Sequence, residues 1–145
     1  MKRIVMFAVF FISVATVAQE RIKSFDDFWP SFRKAVLAYD VSALDPLVSY
    51  PLTVKGTMDY DPVKKITRDK IIATLRTSLS QEGSIDDDRI PEETNYEEIK
   101  RKVTIPDSDY KWTDSRSEYM TIANLEFKKI AGKWKLNTIY VDMTN

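Results

Sequence analysis

The sequence has no cysteine and no histidine, only three glycines, and no excess charge of either sign, with 22 Lys+Arg against 22 Asp+Glu in 145 residues. Each absence closes a class of chemistry. Without thiolates or imidazoles there is no zinc site of the usual ligand set, no disulfide framework, no Cys nucleophile, no Ser-His-Asp triad and no histidine-ligated haem. Balanced charge also lacks the basic excess that electrostatic nucleic-acid binding requires, so no nucleic-acid partner is expected. The length fits one domain.

What is present begins with an export pattern. Lys2 and Arg3 are followed by an almost wholly apolar stretch, and Ala15, Thr16, Val17 and Ala18 precede the polar Gln19. This predicts a secretory signal peptide over residues 1–18, cleaved after Ala18. The apolar stretch, about fifteen residues, falls short of the roughly 20 that cross a bilayer. No membrane span is therefore expected in the mature form, and no cysteine is available for a lipid anchor. Residues 19–145 are expected to form one soluble, exported domain, periplasmic or extracellular. Loss of Lys2 and Arg3 tips its charge slightly acidic. In an oxidising compartment without cysteine, packing alone must hold the fold.

Ser24 is a good N-cap, with Asp26 and Asp27 in the following turn. Phe25, Phe28, Trp29, Phe32, Val36 and Tyr39 recur at helical spacing, with Pro30 expected either to kink that helix or to delay its regular part to about Trp29. Asp40 can cap a short second helix over 42–48, carrying Leu44, Leu47 and Val48. Residues 50–55 read as a strand and 63–66 as a short returning edge strand. Thr67 is expected to cap a helix over 68–79, with Ile71, Ile72, Leu75 and Leu79 on one stripe. Residues 80–97 read as a long acidic loop and 98–105 as a strand. The last third reads as strands over 110–112, 117–129 and 134–142, joined at the end by a turn over 130–133. Tyr119, Thr121, Ala123, Leu125 and Phe127 share one expected face. Trp134 and Leu136 match them, while Ile139 and Val141 fall on the opposite parity, which a bulge near Asn137 or Thr138 would reconcile.

Several stretches carry a family resemblance: Phe28-Trp29-Pro30-Ser31-Phe32-Arg33-Lys34-Ala35-Val36, Leu44-Asp45-Pro46-Leu47-Val48-Ser49-Tyr50-Pro51-Leu52, Ile66-Thr67-Arg68-Asp69 and Phe127-Lys128-Lys129-Ile130-Ala131-Gly132-Lys133-Trp134-Lys135-Leu136. In this order they resemble the NTF2-like, or SnoaL-like, α+β cone superfamily over nearly the whole mature chain. The resemblance implies N-terminal helices packed on a strongly curved antiparallel sheet with a long C-terminal hairpin, around a largely apolar cavity. It covers enzymes and non-catalytic binding modules alike, so function must come from the site.

The resemblance implies, for its enzymes, an Asp base with a Tyr or protonated Asp donor and in some cases a His; lacking histidine, this chain would keep the Asp/Tyr arrangement, with Asp40, Asp114 and Asp142 set beside Tyr39, Tyr119 and Tyr140. Caps and strand ends account for those carboxylates better, so no catalytic residue is assigned. The aromatic residues Trp29, Tyr50, Trp112, Tyr119 and Tyr140 are the ligand-binding candidates, able to stack on and orient a small apolar or sugar-like molecule. Phe32 and Trp134 read as core by periodicity. Clustered Asp86, Asp87 and Asp88, and Asp59 with Asp61, lack an EF-hand's spacing, so no metal ligand and no cofactor is assigned. The expected partner is a small molecule or a protein. A homodimer formed through the sheet face is the competing reading, followed by an Asp/Tyr lyase or isomerase acting on a small hydrophobic substrate.

Overall fold

Six buried aromatic and aliphatic positions at helical spacing, Phe25, Phe28, Trp29, Phe32, Ala35 and Val36, bring α1 (Phe25–Leu37) onto a sheet, four of them through a layer of rings. The computed structural model describes residues 25–82, 90–105 and 119–144. Residues 1–18, Ser24, Asp86 to Asp88, Trp112 and Asp114 lie outside them, as does the expected strand over 110–112. Among the described residues no helix is long and apolar enough to cross a membrane.

Helix α1 runs unbroken through Pro30. Pro30 and Asp26 are both exposed, so the intrahelical bond that proline deletes is lost on the solvent side, where the missing donor costs least. The helix ends with Tyr39 at φ 50°, where the Tyr39 N–H donates to Val36 and the Asp40 N–H to Ala35, a Schellman closure. Asp40 then caps α2 (Val41–Leu44), its Oδ1 accepting the Ala43 N–H at 3.1 Å, and a single 3-10 turn leads into the sheet.

The sheet holds β1 (Val48–Gly56), β2 (Val63–Ile66), β3 (Tyr119–Ile122), β4 (Leu125–Ile130) and β5 (Lys133–Val141) in the order β2-β1-β5-β4-β3. The expected edge strand at 63–66 is present as β2. The expected wholly antiparallel sheet is not: β1 and β5 pair in parallel, so the sheet is mixed, and it is not strongly curled. The space a curled sheet would enclose is occupied by rings. Phe32 meets Phe127 edge-on at 4.8 Å, and Phe25 meets Trp134 at 5.0 Å.

Three further elements differ from expectation. Between β2 and α3 (Ile71–Ser80) lies a 3-10 turn, and Thr67 makes no side-chain cap; its hydroxyl donates to the Asp69 carboxylate instead. The strand expected over 98–105 is not formed: α4 (Asn95–Arg101), whose capping box pairs Thr94 with Glu97, takes its place and that of the last residues of the expected loop over 80–97, of which 90–94 are irregular and 83–89 lie outside the described residues. The long strand over 117–129 is two strands joined at Ala123 and Asn124, with Ala123 at φ 51°. Because Ile122 pairs with Leu125 across that turn, the parity reverses: Met120, Ile122, Leu125 and Phe127 are buried, and Tyr119 and Thr121 face the other way. The next hairpin turns through Ala131 and Gly132, both at positive φ, as expected. Glu126 pairs with Thr138 and Phe127 with Leu136, so Asn137 is the extra residue of the expected bulge.

Helix α4 is bound to α1 through its C-terminal carbonyls. Trp29 Nε1 donates to Lys102 O at 2.7 Å, Arg33 Nε to Ile99 O at 2.9 Å, and a second Arg33 nitrogen to Lys100 O. These donors satisfy groups that a helix end leaves open.

Candidate functional site

On the sheet face opposite the rings, one row of side chains crosses all five strands. Lys65 on β2 pairs with Thr53 on β1, Thr53 with Thr138 on β5, Thr138 with Glu126 on β4, and Glu126 with Thr121 on β3. Strand alternation puts these positions on one face because their neighbours Val54, Ile139, Leu125 and Ile122 point into the core. Lys65 Nζ donates to Thr53 Oγ1 at 2.6 Å, and Asn137 Nδ2 to Thr138 Oγ1 at 3.0 Å.

Tyr140 and Tyr119 flank this row. The Tyr140 hydroxyl donates to Glu126 Oε2 at 3.2 Å, while Lys128 Nζ lies 3.3 Å from Glu126 Oε1. Tyr119 pairs with Lys128 across β3 and β4. Burial first, then the charge and hydrogen bond of Glu126, then Tyr119, push the Tyr140 phenol up to about 12. A phenol so placed stays protonated at neutral pH, which makes it a hydrogen-bond donor rather than a base or nucleophile. One face of the sheet therefore carries the half-buried Thr53 and Thr121 hydroxyls around the buried Thr138, a carboxylate acceptor, two ammonium donors and two rings. Such groups can donate to, accept from and stack on a polar molecule.

The structure brings together two of the residues singled out from sequence, Tyr119 and Tyr140. Trp29 is buried in the ring layer with its indole N–H already bonded. Tyr50 lies half-buried on β1 beside Asp45 and Arg68. Burial first, then the Asp45 charge, raises its phenol pKa, and its hydroxyl has no hydrogen-bond partner among the described residues. Asp40 is a cap. Asp142 accepts the Thr144 N–H and hydroxyl, and the hydroxyl bond holds its pKa below the ordinary carboxylate range, away from acid–base duty. Asp61 Oδ2 accepts the Met58 N–H, and among the described residues no cluster of three metal-ligating side chains occurs.

Glu126 and Lys128 were not singled out from the sequence. Their role depends on pairing across strands, and the nearest sequence signal was the alternation of 125–129 itself. Neither a scan against protein-family models, a search of curated proteins nor a search of solved structures finds a match to this chain.

Proposed function

We propose that this chain is an exported NTF2-like binding domain, without catalytic activity, that holds a small hydroxyl-rich, sugar-like ligand on the sheet face between Tyr119 and Tyr140. The row Lys65-Thr53-Thr138-Glu126-Thr121 carries this reading. Threonine hydroxyls, a carboxylate and ammonium groups match the alternating donors and acceptors of a polyol, and the flanking phenol rings give its carbon face somewhere to stack. The order of elements, helices, hairpin, helix and terminal meander, supports the family reading. The ring layer filling the helix–sheet interior favours surface binding over an enclosed reaction chamber. Dimerisation through this face would call for a broad apolar patch, whereas the row is polar.

Saturation-transfer NMR of residues 19–145 with a panel of mono- and disaccharides tests the assignment. Binding by at least one saccharide is expected, weakened about tenfold by Tyr119→Ala or Glu126→Gln. No saccharide binding at millimolar concentration, or binding indifferent to both substitutions, overturns it.

A further inference from the structure

At the far end of the same sheet, β2 is an edge strand. Val63, Lys64 and Lys65 are exposed, and among the described residues no backbone group bonds to the side of β2 away from β1. Alternate residues of such an edge direct both N–H and C=O outward, a template for another extended chain. We propose that this edge takes an extended acidic segment of a partner protein as an added strand.

Two observations select that partner. The first is charge. Lys64 makes no ion pair among the described residues, and the Lys65 ammonium donates only to the neutral Thr53 hydroxyl. Of the nearby carboxylates, Asp61 sits on the Met58 N–H, Asp69 on the Thr67 hydroxyl and Asp45 on Arg68, while Asp59 is exposed in the turn that precedes β2 and not on the edge itself. The lysines therefore present positive charge on both faces of the edge. The second is apolar surface. Met58, Tyr60 and Val63 are 45%, 83% and 59% exposed. Lysines alone suffice to keep an edge from aggregating; three exposed apolar side chains beside them give an arriving strand something to cover.

A second copy of this chain fits poorly. In a symmetric antiparallel pairing outward-pointing residues must meet outward-pointing residues, so the twofold falls on Lys64 or on Lys65 and sets that lysine directly opposite its own copy. An acidic strand replaces that repulsion with attraction to both lysines.

Fluorescence anisotropy with three labelled peptides tests the proposal: an alternating Asp/Val peptide, its Lys/Val counterpart, and the Asp/Val peptide N-methylated at alternate residues. The acidic peptide is expected to bind about tenfold more tightly than the basic one, and N-methylation to abolish binding. Lys64→Glu/Lys65→Glu is expected to reverse the preference, a result a misfolded variant cannot produce. Equal affinity for both charges, undiminished binding of the N-methylated peptide, or no binding of any peptide overturns the proposal. So does a sedimenting dimer that Val63→Pro dissociates, which would assign the edge to a second copy.

Discussion

The Trp29 indole nitrogen donates to the Lys102 carbonyl at 2.7 Å, joining positions 73 residues apart and fixing α4 against α1. Both partners are buried, so removing the donor strands an acceptor. Trp29→Phe is expected to cost about 1–3 kcal/mol, the sum of a lost bond and a partly unfilled space. Urea unfolding measures it; a midpoint equal to the parent's contradicts the account.

Glu98 in α4 and Lys102, its C-cap, form an ion pair, with side chains only 2% and 5% exposed. Breaking such a pair removes an adjacent opposite charge from a buried group. Glu98→Ala should therefore destabilise by about 3–5 kcal/mol, and Glu98→Leu/Lys102→Met should recover most of that loss. Thermal unfolding of both variants distinguishes this from a simple packing defect, which the double substitution would not repair.

Tyr39 holds a left-handed conformation that glycine adopts freely, while its ring stacks on Tyr96 and carries the Arg76 guanidinium 4.2 Å above it. Truncation removes the ring contacts in any variant, but only glycine also relieves the backbone. Tyr39→Gly is expected to be more stable than Tyr39→Ala by about 1 kcal/mol, reversing the usual helix-propensity order. Paired denaturation curves check the order.

The Tyr140 phenol ionises at about 12 in the folded chain against 10.0 for a free phenol. The folded state thus keeps its proton where the unfolded state has released it. The stability that this provides is complete below pH 10 and is lost as pH rises through 12. Ultraviolet titration should show a late-ionising phenol, and Glu126→Gln should bring it down by removing the nearby charge. Ionisation of every tyrosine together near the free value would contradict the geometry.

Much of this was legible in the chain. The aromatic spacing of Phe25, Phe28, Trp29 and Phe32 marked α1, the lysine-bearing 63–66 marked an edge, and broken alternation marked the Asn137 bulge. Helix α4 was obscured because acidic composition outweighs two apolar anchors, Tyr96 and Ile99, although Thr94 and Glu97 stand at capping-box spacing. The β3–β4 turn was obscured because Ala-Asn carries no strong turn signal and alternation continues across it at face value. At the site, Tyr119 and Tyr140 were visible as polar-flanked aromatics. That Tyr140 meets Glu126 while Tyr119 pairs with Lys128 depends on register, which strand composition does not specify.

The parallel pairing of β1 with β5 carries a further consequence. Thr53 and Lys65 arrive on one hairpin near the start of the domain, while Thr138, Glu126 and Thr121 arrive on strands near its end. Neither half holds a complete row until β1 and β5 join, and that junction closes a loop of most of the chain. A ligand resting only on the surface would therefore bind the assembled molecule and not its separate hairpins. By mass action it would draw the whole domain toward the native state, making melting temperature a direct reporter of occupancy.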